Sequence, residues 1–369
     1  MKEYHALKIE DVCKKASSNI AQNKIKNLSG DYPIYGASGY IQNVDFFHME
    51  RPYIGIVKDG SGVGRVNIYP AKSSLLGTMQ YIIPKKYCCI GYLAYALKSL
   101  NLSSFASGAA IPHIYFKDYG KCKIPVPPLA EQERIVGELD LLAGIIDKQK
   151  TQLKELDTLA QSIFYSSFGD PIQNEKGWEV VEVGALYDIG SSKRVFEAQW
   201  TDEGVPFYRA REIVRLSKNE PIESPIFISE SLYKEYAEKY GVPKAGDMMV
   251  TAVGTLGICY IVKKSDRFYF KDGNILWFNS KGLCETRFIK DQYTTSFVMN
   301  QIQSNANAAV VGTYTIMNAK KTKVIMPPIA LQKEYVKKVE HIEQQKEVIA
   351  RAITETQKLF DYTMDKYFG

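Results

Sequence analysis

The residues of this chain most able to do chemistry are the glycines of Gly60-Ser-Gly-Val-Gly64, two Pro-Pro pairs, and the polar stretch from Asp170 to Lys176. A glycine-rich loop cradles phosphate when it opens a helix and closes on Gly-Lys-Ser/Thr. Here it leads into Arg65-Val-Asn-Ile-Tyr69, which reads as a strand. The glycines therefore belong to a tight strand-to-strand turn whose backbone can come close to a partner. The repeat copy has only Gly254 and Gly257, with no charge on its flanks. A Pro-Pro pair serves methylation of a base amine when a polar residue before it holds the amine and an aromatic after it stacks on the base. Val126-Pro-Pro-Leu129 and Met326-Pro-Pro-Ile329 lack both. Asp170 with Glu175-Lys176 comes nearest to the acids of a nuclease, but it lies in a polar linker after a helix. With no metal-binding histidine pair and no nucleophile elbow, the chain reads as non-catalytic, with no catalytic residues and no metal.

Basic residues, by contrast, gather near glycines and aromatics. Lys58 and Arg65 flank the glycine turn; Lys193, Arg194, Arg209, Arg211 and Arg215 fall in expected loops, as does the run Lys320-Lys321-x-Lys323. Lysines mostly set affinity for phosphate, whereas arginine can bridge guanine O6 and N7 in the major groove of double-stranded DNA. Arg209 and Arg211 are the favoured base readers. His113 and Tyr115, in a loop matching Thr313 and Tyr314, complete the candidate contacts. Each has a plainer alternative, a solvated surface arginine or a structural histidine.

The net charge of +6 is unevenly held. Residues 1–126 carry 16 Lys+Arg against 8 Asp+Glu, and residues 127–169 carry 4 against 7. The remainder is nearly balanced, 20 against 19 in 170–326 and 7 against 7 in 327–369. A basic block beside an acidic segment fits a polyanion for the block and a protein partner for the segment, and ordinary surface charge fits as well. A length of 369 residues with 45% apolar content suggests two or three domains. No apolar run approaches the roughly 18 residues of a membrane span, and the first residues lack the apolar core of a leader, so a cytoplasmic protein is expected. Six scattered cysteines and four histidines signal neither a zinc site nor a disulfide framework, and the thiols are expected to be reduced.

The elements that must position these residues repeat at an offset of 200. PPLAEQERIV from Pro127 recurs as PPIALQKEYV from Pro327, and SSFG ending at Gly169 recurs as KYFG ending at Gly369. Each proline pair stops an extended segment and suits a first helical turn. Glu131 and Glu133 favour the positive end of a helix dipole, and Gly169 before Asp170-Pro171 is a stop. About 39 residues should form one helix, about 58 Å long. Its apolar seam runs Leu139, Leu142, Ile146, Leu153, Leu156, with Gln149 as a polar interruption. The second copy offers Val339, Ile342, Ile349, Ile353 and Phe360, broken by Lys346 and Thr356. The 3-4 spacing predicts that the two helices pair as an antiparallel coiled coil, a spacer with a domain budding at each end. In the alternative each helix packs only on its own domain, which a helix this long would overhang.

The segments before the helices repeat an order of features. GDYPIYGASGYI from Gly30 answers EGVPFYRAREIV from Glu203, and IVKDGSGVGRVNIY from Ile56 answers VTAVGTLGICYIV from Val250. Runs such as Tyr53–Val57, Gln80–Ile83, Ile258–Val262 and Asn274–Phe278 read as strands. Ser229 is placed to cap a helix through Tyr240. The expected fold is α+β: two tandem domains with small β-rich sheets, residues 1–126 and 170–326, each followed by a long helix, residues 127–169 and 327–369.

These features in this order resemble the specificity subunit of type I restriction-modification systems over essentially the whole chain. The carriers are GDYPIYG, AGDMMVTAVGTLG from Ala245 to Gly257, and the two PPLAEQ-like helix openings. The resemblance implies two target-recognition domains, each reading one half of a bipartite DNA target, held apart by helices that also dock two methyltransferase subunits. Restriction and motor subunits would complete the complex. S-adenosylmethionine, ATP and Mg are then expected on the partners and none on this chain. The same architecture serves type II-B systems, in which one fused enzyme replaces separate subunits. A coiled-coil scaffold without DNA function is the reading from a different class. One departure stands out: the second opening reads PPIALQKE, with Leu331 in place of the usual Glu.

Overall fold

In the computed structural model, residues 4–108, 111–223, 225–306 and 312–369 are described. The chain forms two compact units, residues 1–153 with 348–369 and residues 154–347.

The first unit is built on a four-stranded antiparallel sheet in the order Cys13–Ser17, Met79–Pro84, Tyr53–Val57, Val66–Tyr69. Tyr53–Val57 is buried along its whole length, as a central strand covered on both faces should be. One face is covered by the helix Ile90–Ser99, which contributes Tyr92, Leu93, Ala96 and Leu97 to a core shared with Ile54, Ile56 and Ile82. A smaller sheet joins Gly39–Val44, Tyr32–Gly36 and, in parallel, Ser74–Leu75.

The second unit repeats this plan. Its four strands run Tyr187–Gly190, Ile275–Ser280, Met248–Thr251, Cys259–Ile261, again all antiparallel. Its smaller sheet again ends in a parallel pairing, here of Val205–Tyr208 with Tyr269–Phe270. A short antiparallel pair closes each domain next to its helix: Ala6–Lys8 with Lys123–Pro125, and Glu179–Glu182 with Lys323–Met326. The expected α+β fold with small sheets is what the structure holds. The helix expected after Ser229 spans Glu230–Tyr240, and the Ser229 hydroxyl accepts from the Leu232 amide at 3.2 Å.

Two helices of 40 residues, Leu129–Phe168 and Ile329–Phe368, follow the proline pairs. The glutamine of each opening motif is fully buried and ties the helix to its domain. Gln132 accepts from the Cys89 amide at 2.7 Å and donates to the carbonyls of Tyr87 and Pro127. Gln332 accepts from the Glu285 amide at 3.0 Å and donates to the Pro327 carbonyl. Close approach also matters in the first unit, where a Cβ on Gly91 would lie 2.8 Å from Val136.

Within each unit the two helices run antiparallel. In the first, Arg134 near the start of one helix donates to the hydroxyl of Tyr367 near the end of the other, and Tyr367 donates to Glu138. Phe360, Met364, Tyr367 and Phe368 pack on the first core, with Phe368 at 5.0 Å from Tyr92. In the second, Phe164 and Phe168 from the end of the first helix cluster with Phe288 and Tyr335, and Lys346 pairs with Asp157 at 2.7 Å. Leu139, Leu142, Ile146, Val339 and Ile342 are buried, whereas Leu153, Leu156, Ile349, Ile353 and Phe360 are half-buried. Leu139 joins the first core and Val339 the second, and Phe360 packs on the first core although half-buried. Each domain is thus held by the start of its own helix and the end of the other, which departs from helices packing only on their own domains. No helix among the described residues is long and apolar enough to cross a membrane.

Candidate nucleic-acid interface

In the first domain the candidate contacts surround the turn joining strands Tyr53–Val57 and Val66–Tyr69. The turn is closed by the Gly64 amide donating to the Val57 carbonyl at 2.8 Å. Gly64 has φ +87, and a Cβ there would lie 2.5 Å from the backbone nitrogen of Ser103. A side chain is excluded on both counts. The segment from Ile111 to Tyr115 crosses this turn: Gly60 donates to the Pro112 carbonyl and Ile114 to that of Lys58. His113 Nδ1 is in hydrogen-bond contact with the Asp59 carboxylate, whose other oxygen lies 3.4 Å from Lys58 Nζ. Tyr115 is exposed, its ring 4.1 Å from that of His113 and 5.1 Å from Lys117 Nζ. Arg65 is exposed, donating through Nε to the Gly62 carbonyl at 3.3 Å. Lys58, Arg65, His113 and Tyr115 therefore share one end of the sheet, with Asp59 holding two of them.

In the second domain the corresponding turn, Gly254 to Gly257, carries no charged side chain and is held from beneath by the buried Thr251, whose Oγ1 donates to the Thr255 carbonyl and accepts from the Ile258 amide. The cations stand elsewhere. The Lys193 amide donates to the Tyr269 hydroxyl, and its Nζ lies 5.8 Å from the Tyr240 ring. Arg194 pairs with Asp272 at 3.0 Å, and Arg215 with Glu223 at 2.8 Å and the Pro221 carbonyl at 2.7 Å. Arg209 and Arg211 both bind Glu212, whose side chain is 3% exposed. Arg209 leads into the helix Ala210–Ser217, and its backbone N–H donates to the Glu212 carboxylate at 2.8 Å. That is the spacing of a capping box, in which a glutamate three residues on satisfies a free amide at the helix start.

Two expectations are corrected. Arg211 and Arg215 stand on the helix Ala210–Ser217, Lys320 and Lys321 on the helix Ile316–Lys321 and Lys323 on the strand Lys323–Met326, so these cations are carried by regular elements and not by loops. Tyr314 is fully buried, its hydroxyl in the core with those of Tyr293 at 3.1 Å and Thr322 at 2.7 Å, so no nucleic acid can reach it. The offset of 200 places it opposite Ile114, which is also buried, and not opposite the exposed Tyr115. The backbones agree: the Tyr314 amide donates to the Ala252 carbonyl as that of Ile114 does to Lys58. Thr313, opposite His113, is half-buried, and Thr315, opposite Tyr115, caps the helix Ile316–Lys321. The residues missed in the sequence are the carboxylates, Asp59, Asp272, Glu212 and Glu223. Only Glu212 carries a readable signal, the Arg-x-x-Glu spacing of its cap. Among the described residues no cluster of His, Cys, Asp and Glu could hold a metal ion.

Comparison with known proteins agrees with this layout. The chain is 24% identical over 359 residues to a Haemophilus influenzae protein named as a type I restriction enzyme specificity subunit, covering 93% of this chain and 90% of that one. It is 25% identical over 279 residues, 64% of each chain, to the MjaIX specificity subunit of Methanocaldococcus jannaschii. The crystal structure of a type I restriction-modification S subunit from M. genitalium superimposes with a TM-score of 0.66 over 100% of this chain and 96% of that one, at 14% identity, which is a likeness of fold. The family model described as the type I restriction modification DNA specificity domain matches residues 1–158 and again 175–356. With both of its domains matched, the protein belongs to the type I restriction modification DNA specificity domain family.

Proposed function

We propose that this chain is the DNA-reading subunit of a type I restriction-modification complex, in which each domain reads one half of a bipartite target. The two long helices set the spacing of the half-sites and dock two methyltransferase subunits. The chain itself catalyses nothing: S-adenosylmethionine belongs to the methyltransferase partners, and ATP and Mg to the restriction and motor subunits. The observation that carries this reading is duplication at every level. The four-stranded sheets of the two domains share one strand order, and each domain is held between the start of one long helix and the end of the other. A duplicated reader suits a target in two parts and a partner used twice.

The test is a base-resolution map of methylated adenines in the source cell with the gene intact and deleted. The expected outcome is loss, on deletion, of one motif made of two short half-sites at a fixed gap. An unchanged map from an expressed gene would count against the reading.

A further inference from the structure

Arg209 and Arg211 look alike in the sequence, yet Glu212 gives them different tasks. Its carboxylate accepts from Arg209 at the backbone N–H (2.8 Å), at Nε (3.2 Å) and at Nη2 (2.9 Å), and from Arg211 at Nε alone. Arg209 is consumed by these bonds and is 21% exposed in its side chain. The Arg211 side chain is 61% exposed, and among the described residues its two Nη groups make no hydrogen bond. The helix beneath is fixed as well, since Ile213 and Leu216 pack with Met249 and Tyr260 of the sheet and with Val262 just beyond it.

We propose that Glu212 is a positioning residue that holds Arg211 as an end-on fork for guanine in one half-site, with Arg209 serving only to neutralise and anchor Glu212. This rests on the DNA-reading function proposed above. With Nε held by a buried carboxylate, the guanidinium plane is set, and the Nη1/Nη2 edge offers two parallel donors that match guanine O6 and N7. A phosphate contact needs chiefly charge, which a lysine supplies alone and which an adjacent carboxylate partly cancels. A base edge carries no net charge, so it loses little to Glu212 and gains from the fixed orientation. The arrangement therefore favours a base over a phosphate.

The experiment maps adenine methylation by the complete complex carrying wild-type chain, Arg211→Ala, Arg211→Lys or Glu212→Gln. It is paired with binding of the complex to target duplexes with 7-deazaguanine, which lacks the N7 acceptor, at each guanine. The wild-type motif should contain a required guanine whose discrimination falls roughly ten- to a hundredfold in Arg211→Ala and in Arg211→Lys, with the other half-site unchanged. Glu212→Gln should relax the same position, and a chain carrying both Arg211→Ala and Glu212→Gln should lose little more than either single variant. 7-Deazaguanine there should weaken wild type and leave Arg211→Ala unaffected. The proposal is overturned by an unchanged motif in Arg211→Ala, by preference retained in Arg211→Lys or Glu212→Gln, or by uniform weakening on all sequences, the mark of a phosphate contact. Because Arg211 is exposed, its variants keep the test decisive even where Glu212→Gln fails to fold. A wild-type complex with no bipartite methylated motif would instead remove the DNA-reading function, and this proposal with it.

Discussion

Burial alone would push the Glu212 carboxyl up, but hydrogen bonds from Arg209 and Arg211 outweigh it and hold the group below the ordinary carboxylate value of 4.5. A carboxyl with a depressed folded value stabilises the fold at pH above its unfolded value, and that contribution fades as pH falls through the folded one. The second unit should therefore lose stability on acidification below about pH 4.5. Glu212→Gln should cost about 1–3 kcal/mol at pH 7 through weakened charge-assisted hydrogen bonds, and its further loss on acidification should be smaller. Urea melts followed by hydrogen exchange of the helix Ala210–Ser217 at pH 7 and pH 4 measure both. An equal acid loss in wild type and variant would place the acid-sensitive group elsewhere. Tyr314 teaches a related point at this scale. Residue type made it a candidate contact, but the inward-facing position it shares with Ile114 decides that it is core.

At the scale of elements, the long helices are joined to their domains by buried amides as much as by apolar packing. Removing one partner of a buried hydrogen bond leaves the other unsatisfied and costs about 1–3 kcal/mol. Gln132→Ala orphans an amide and two carbonyls, Gln332→Ala an amide and the Pro327 carbonyl. Both variants should lower the urea midpoint of their own unit, and Gln132→Ala the more. An unshifted midpoint in both would show that the apolar packing suffices. Leu331 is exposed on the second helix and makes no part of this anchorage, so its departure from the motif leaves the joint of helix and domain intact. Gln149 faces inward along the seam and its carbonyl oxygen has no hydrogen-bond partner among the described residues. It is a polar interruption of the kind that fixes register at some cost in stability.

At the scale of the whole molecule, the chain's end completes its beginning. The first core is covered by Phe360, Met364, Tyr367 and Phe368, with Tyr367 tied to Arg134 and Glu138. Ending the chain after Glu347 would strip these half-buried side chains away, each worth some part of the about 1.5–3 kcal/mol that full burial of a large apolar side chain brings. Such a truncation should open the first unit to proteolysis while residues 154–347 remain protected. Limited digestion read by mass spectrometry distinguishes this from loss of both units or of neither.

The sequence by itself determined the duplication, the two long helices with their antiparallel pairing, the strands beside the glycine turns and the cap at Ser229. All of these are local or periodic: proline pairs, heptad-like spacing, alternation and turn residues act on neighbours in the chain, and a repeat at a constant offset needs no knowledge of contacts. What only the tertiary structure decided is which cation is free. The partners of Arg194 and His113 lie 78 and 54 residues away, so no spacing announced them. The ends of the long helices likewise find their domains across most of the chain, as Arg134 finds Tyr367 at a separation of 233 residues. A charge's availability depends on what folding brings beside it, and a buried carboxylate such as Glu212 changes an arginine's role without altering its type.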